Sequence, residues 1–429
     1  MGNPMIEGLQ GMLWAKGLRI GKLSGGARSV AGMLGQADTI PMPGAQMHDH
    51  CMTVARVPAR KFYWDGTLCY DVQIAVQRWY AMDGSSALAD VYNFEVEALG
   101  CKMIYSDVAM PTVDTDHPLI SAPQDLAKLR PLDPSKGRIP FNVEITKNIV
   151  ERGGGLLPGG MFCSPFSLMC QAMGYPRAVR ALRREPEFAR DLLAYIENDV
   201  ILPHAKAQRD LAKAKQTSGA DAWACFPNLS IPMIEEWVVP SANRLKARAK
   251  AELGMTVTAG GGAGDYCEED PSKFDKQLMW RCFDLAGQFG LLAGGKMALM
   301  AMGRTQEWDP HWVQEYASLD GPGKKRMIYA MLNGRFVRDS SPQEIVAKLR
   351  QWIDIMGREG KIAISVGNIP ADTPPVNIHT VVAAVHTIGR QPIAADVNAI
   401  PFQIPTFQPF DEWLKGQPEE EPIRKAREK

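Results

Sequence analysis

Short apolar runs along this chain alternate with stretches in which apolar residues return every three or four positions. The first pattern predicts buried strands and the second amphipathic helices. Runs at 102–105, 160–163, 222–225, 255–258, 296–302, 326–332 and 362–366 read as strands. Helical spacing covers 75–80, 86–99, 141–152, 176–216 with breaks near Pro186 and Pro203, 241–253, 272–289 and 342–357. Residues 109–140 carry Pro111, Pro118, Pro123, Pro131 and Pro134 and read as loop. Residues 5–23 suit a short amphipathic helix. Strands that each lead into a helix imply a parallel sheet with right-handed crossovers. Roughly seven such strands approach the eight of a closed barrel, so a (β/α)8 TIM-type barrel with an N-terminal extension is expected. The expected organisation is an arm or cover at 1–50, the barrel at 51–415 and a charged tail with little to bury at 416–429.

The stretch 361–389 is the clearest single unit. Ile362-Ala363-Ile364-Ser365-Val366 ends at Gly367-Asn368, and Pro370, Pro374 and Pro375 forbid a helix through the turn. Asn377 suits the cap of a helix that runs to His386. In a parallel α/β protein chemistry gathers where strands end, which marks 367–373 as rim.

Composition narrows the class. The 429 residues are 45% apolar, enough for a large core, and 48 basic residues balance 48 acidic ones. No basic patch with interleaved aromatics suggests nucleic acid. Eight cysteines without a CxxC pair read as reduced thiols of a cytoplasmic protein. The longest apolar stretch, 289–303, is interrupted by Lys296 and is too short for a bilayer.

Several motifs invite chemistry. The segment from Gly290 to Met297 resembles a phosphate-binding loop, but Met297 stands where the Mg²⁺-holding hydroxyl belongs and a strand follows it. Gly260, Gly262 and Gly264 allow close backbone approach to a ligand, and Asp265 and Tyr266 follow at once. His48, Asp49, His50 and Cys51 form the densest group of potential metal ligands, although side chains at i and i+2 diverge. Substrate contact by His48 and His50 is the other reading. His379 and His386, two helical turns apart, are too distant to share a metal. The polar residues after apolar runs are Asp107, Asn228, Asp265, Glu307, Asn333 and Asn368, and each could equally cap the next helix or close its turn. Glu307, Trp308 and His311 place an acid, an indole and an imidazole in one loop, which suits a flat substrate.

Four ordered segments carry a family resemblance: 92–100 (YNFEVEALG), 162–168 (FCSPFSL), 342–346 (PQEIV) with Gly357 beyond, and 368–377 from Asn368-Ile369-Pro370 to Asn377. Together they resemble the uroporphyrinogen decarboxylase superfamily over residues 45–390. That resemblance implies a (β/α)8 barrel with a deep cleft at the strand C-termini. The decarboxylases carry an Arg-rich N-terminal motif similar to RQAGR, and Arg56, Arg60 and Lys61 do not match it. The other branch comprises corrinoid-dependent methyltransferases. Its thiol-methylating members hold zinc on a His-x-Cys and a later Cys. Here Met255-Thr256-Val257-Thr258 and Val366-Gly367-Asn368 occupy those places. The block 46–65 is more similar to the demethylating members.

The resemblance implies a methyltransferase component that takes a methyl group from a small O-methylated compound, aromatic ethers included, and passes it to cobalamin on a partner corrinoid protein. Alkoxides and phenoxides leave poorly, so an acid or Lewis acid must meet the developing charge. Glu307, His311 and Asp265 are the expected catalytic groups. His48, His50, Asp107, Asn228, Tyr266, Trp308, Asn333 and Asn368 are the expected substrate contacts, and His48, His50 and Cys51 the weak metal candidates. The rivals are a cofactor-free decarboxylase or lyase and a non-catalytic ligand- or corrinoid-binding barrel. A homodimer is compatible with this family, and neither nucleic acid nor membrane is an expected partner.

Overall fold

Strand-forming segments in the computed structural model fall into three groups. It describes residues 4–19, 23, 25–84, 87–90, 93–152, 159–259, 275–288, 297–301, 308–321, 325–358 and 361–428. The two-residue strands β1 (Met103–Ile104) and β2 (Thr112–Val113) pair antiparallel. Strands β3 (Gly160–Cys163), β4 (Gln216–Ala220) and β5 (Thr256–Thr258) form one parallel sheet in that order. A second parallel sheet runs β6 (Met297–Ala301), β7 (Met327–Asn333), β8 (Ile362–Gly367). Residues 40–46 extend it: Ile364 N donates to Pro41 O at 3.1 Å and Ile369 N to Gln46 O at 2.9 Å. Both bonds keep the same offset, so this segment lies alongside β8 in parallel register.

Each parallel strand feeds a helix for local reasons. Ser341 and Glu344 close a reciprocal capping box on the Pro342–Met356 helix, whose Ile345, Leu349, Trp352, Ile353 and Met356 face the core. Asp65 accepts from Leu68 N at the start of the Gly66–Trp79 helix. In β8 the residues from Ile362 to Val366 are all buried, as expected of a strand covered on both faces.

The chain departs from its sequence pattern in four places. Residues 102–107 do not join the parallel sheets, because β1 turns back on β2. The run 222–225 is a turn, and the strand lies upstream in the polar-looking β4. There a Cβ on Gly219 would sit 2.4 Å from the Phe162 ring and from Ser164 Oγ, so only glycine lets β3 and β4 close up. Residues 87–90 form no helix, and only Phe94–Ala98 of the expected 86–99 helix is helical. Pro203 does not break its helix: the wider turns of Ile196–Ile201 precede it, which removes the need for its missing N–H.

At the N-terminal side, the helices Pro4–Ala15 and Gly25–Met33 pack on each other. Arg28 pins them through Asp38 at 3.1 Å and through the buried Asp83, which also accepts from Met42 N and pairs with His386 Nε2 at 2.7 Å. The expected loose tail is instead a helix, Glu420–Arg427, that buries Ile423 and Ala426. Glu419 takes both oxygens to Arg78 Nη1, and Arg427 donates to Ala55 O at 2.7 Å. Among the described residues no helix is long and apolar enough to cross a membrane.

Candidate active site

Parallel strands deliver their C-terminal ends to one edge of a sheet, and the polar groups there are the ones able to do chemistry together. At the end of 40–46 the chain turns into the helix His48–Ala55, whose first turn carries both histidines. His48 Nδ1 lies 2.7 Å from the Tyr63 hydroxyl, and Tyr63 donates to Asp49 Oδ1. Burial, then the Asp49 charge, push the Tyr63 phenol far above its ordinary range. Burial opposes the charge on Asp49, but bonds from His48 and Tyr63 hold its pKa below the usual value.

His50 uses both ring nitrogens, Nε2 with Tyr80 OH at 2.7 Å and Nδ1 with Ala371 O at 3.3 Å. Ala371 O only accepts, so Nδ1 carries the proton and Nε2 accepts from Tyr80. Burial lowers the His50 pKa to about 4, which keeps the ring neutral. Cys51 is wholly buried and its thiol is pushed well above its ordinary value by burial. A metal needs an unprotonated ligand with a free lone pair, and neither His50 nor Cys51 offers one. Among the described residues no three His, Cys, Asp or Glu side chains group as a metal site. Of the three weak metal candidates, His50 and Cys51 therefore do not fit a metal site.

The ends of β7 and β8 abut. Asn333 caps the Gly334–Asp339 helix by accepting from Arg335 N at 2.8 Å. Asn368 is exposed at φ 49°, and its carbonyl would lie 2.3 Å from a Cβ on Gly334. Ala371, in the loop that Asn368 opens, touches His50. The structure thus brings His48, His50, Asn333 and Asn368 to one neighbourhood.

Other expected residues lie elsewhere. Asp107 is exposed beyond β1, pairs with Arg60 at 2.9 Å and ends no strand of the parallel sheets. Trp308 is 1% exposed and packs on Phe283, with 4.9 Å between rings, so it is core and not a platform for a substrate ring. His311 is exposed in the first turn of Pro310–Ser318, where Asp309 caps its N–H. Asn228 follows a turn rather than a strand; its carbonyl accepts from Tyr175 OH and its amide reaches Cys225 Sγ at 3.6 Å. Glu307, Asp265 and Tyr266, together with the glycines at 260–264 and 290–295, lie outside the described residues.

Several buried polar groups escaped the sequence reading. Asp90, 0% exposed, ends the 87–90 segment and takes Arg138 Nη1 at 2.5 Å. Arg138, itself 1% exposed, also gives Nε to Glu97 at 2.6 Å. Burial works against its charge, and the two carboxylates outweigh that and raise its pKa. Asp221, one residue past β4, accepts from Ser167 Oγ at 2.5 Å and from Phe166 N at 3.2 Å, thereby capping the Pro165–Met173 helix from a neighbouring strand. Burial pushes its pKa up to about 6. Behind β3, Glu95 Oε1 accepts from Cys163 N and meets His204 Nδ1, both at 2.9 Å, while His204 Nε2 meets Asn142 Oδ1 at 2.8 Å. The signal for Asp90 was the alternation of buried Ala87 and Ala89 before an acid, too short to stand out as a strand.

The model of the uroporphyrinogen decarboxylase (URO-D) family matches residues 39–388, most of the chain. The protein belongs to that family. A methyltransferase from Methanosarcina mazei is similar in structure, with a TM-score of 0.60 at 16% identity, covering 84% of this chain and 97% of that one. That likeness is one of fold. No curated protein matches the chain.

Proposed function

We propose that this protein is a methyltransferase of the URO-D superfamily that takes a methyl group from a small O-methylated compound and hands it to a corrinoid carried by a partner protein. The two parallel sheets and the 40–46 segment would then be arcs of one (β/α)8 ring, with the mouth at the strand ends. The fold likeness to a methyltransferase over nearly its whole length supports this reading. The observation that carries it is the chemistry at the end of the first strand-like segment. Residues 46–51 read Gln-Met-His-Asp-His-Cys, and the arginines that follow in sequence are paired with acids, Arg56 with Asp411 and Arg60 with Asp107. A polycarboxylate such as a porphyrinogen needs cations there. A small neutral ether needs proton handling instead, and histidines supply it. When bound, a cob(I)alamin supplies the nucleophile for the methyl carbon. This chain's part is to hold the ether in line with that nucleophile, exclude water and deliver a proton to the departing oxygen.

The test mixes the full-length protein with cob(I)alamin and a panel of methoxylated aromatic and aliphatic ethers, and follows methylcobalamin by its absorption. Methylation with at least one donor is expected. Release of CO₂ from carboxylated substrates without any corrinoid, and no methylation, would favour a decarboxylase and overturn the proposal.

A further inference from the structure

Hydrogen-bond bookkeeping separates His48 from the other six histidines. A phenol has one proton. Tyr63 gives its proton to Asp49, so the 2.7 Å contact with His48 can only be a bond in which His48 Nδ1–H donates to the Tyr63 oxygen. The neutral ring therefore carries its lone pair on Nε2. No described residue bonds that nitrogen, although His48 is only 5% exposed. The Asp49 carboxylate, 3.7 Å from Nδ1, stands ready to stabilise the ring once Nε2 takes up a proton.

None of the others has this arrangement. His50 and His204 have both ring nitrogens engaged. His386 holds Asp83, His117 holds Asp114 at the surface, and His311 is exposed on its helix. His379 also has an unbonded Nε2, but it is caged by Phe407, Trp79 and Tyr80 with no carboxylate behind it. Position adds to the case, because His48 follows by two residues the Gln46 carbonyl that pairs with Ile369, at the end of β8.

We propose that His48 is the proton-exchanging group of this site, that its Nε2 meets the departing oxygen of the substrate, and that Tyr63 and Asp49 are positioning residues that fix its tautomer. The chemical step rests on the methyl-transfer reading. There the electron pair of the attacking nucleophile forms the new bond to the methyl carbon, and the C–O pair stays on oxygen. The His48 imidazolium passes its Nε2 proton to that oxygen and becomes neutral. In each turnover solvent protonates the bare Nε2 once the substrate is bound, so the free protein keeps the neutral tautomer.

The first experiment needs no substrate. Full-length protein labelled with ¹⁵N-histidine is examined by long-range ¹H–¹⁵N correlation, with His48→Gln assigning the resonance. The expected His48 has a protonated Nδ1 and a bare Nε2, and Tyr63→Phe disturbs this tautomer alone among the seven. A wild-type His48 protonated at Nε2 only, or one indifferent to Tyr63→Phe, overturns the relay. Diethyl pyrocarbonate on the native protein should label His48 and spare His50 by mass spectrometry; an unlabelled His48 overturns the exposed lone pair. With a donor that the wild type demethylates, His48→Gln should lower kcat about 100-fold or more, the usual reach of a general acid, with a smaller change in KM. An unchanged kcat overturns the chemical role. A wild type inert toward every donor defeats the methyl-transfer reading and with it the departing-oxygen step, while the tautomer and labelling results still decide the relay.

Discussion

Replacing Arg138 by Met tests how much of the charge buried at position 90 is held by Arg138. Arg138 is 1% exposed, Asp90 0% and the Glu97 side chain 11%. The methionine keeps most of the volume and removes the cation from two carboxylates. Breaking a buried pair on one side costs about 3–5 kcal/mol, because the remaining charge stays out of water. Asp90→Asn alone should cost less, about 1.5–3 kcal/mol, since Arg138 keeps its 2.6 Å bond to Glu97. In the double variant no carboxylate is stranded at position 90, and Glu97 still receives Tyr105 OH at 2.9 Å. Its loss should fall short of the sum of the single losses by about 1.5 kcal/mol or more. Urea unfolding of the four proteins at pH 7, followed by tryptophan fluorescence, closes this cycle. Additivity within about 0.5 kcal/mol would refute the reasoning, because independent sites add to that accuracy.

Four further outcomes follow from the same geometry. His50 and His379 have pKa values lowered by burial to about 4 from 6.5, so as pH falls below about 6.5 the unfolded chain takes up protons the folded one refuses. Stability is lost by about 1.4 kcal/mol per pH unit for each down to about pH 4, and His50→Gln should remove one such slope from the urea midpoints between pH 4 and 6. Asp221, raised to about 6 from 3.8 by burial, has the opposite sign: between about pH 4 and 6 its stability contribution falls as pH rises, so Asp221→Asn should steepen the remaining slope by a similar amount. Ser167→Ala should cost about 2 kcal/mol at pH 7, where Asp221 is ionised, and less at pH 5, read from the same melts. Cys51→Ala should leave the zinc content measured by mass spectrometry unchanged, because that thiol is buried and protonated.

The parallel architecture was legible where strands are apolar throughout. β3 begins and ends where its pattern does, and β5, β6, β7 and β8 fall within a residue of theirs at each end; in β8 burial on both faces demands the continuous hydrophobic run. Two strand-like segments were invisible for the same reason. β4 reads Gln-Thr-Ser-Gly-Ala, and Gly219 fills a position where any side chain would collide with Phe162. Residues 40–46 contain Pro41, Pro43 and Gly44, which break any strand reading, yet their carbonyls still pair with β8. Proline costs a donor but keeps its acceptor, so it is tolerated in an extended segment that mainly accepts.

The site was less legible because chemistry here depends on where protons sit, which residue spacing does not encode. His48 and His50 are equivalent in sequence, flanking one aspartate. In the fold, Ala371 and Tyr80 consume both nitrogens of His50, whereas Tyr63 consumes one nitrogen of His48 and hands the other to the site. The deciding partners lie 15, 30 and 321 residues away, so no local pattern could have ranked the pair. The same holds for Asp90 and Asp221. One is held by Arg138, 48 residues on; the other, bonded by a serine 54 residues before it, has its pKa pushed up to about 6 by burial.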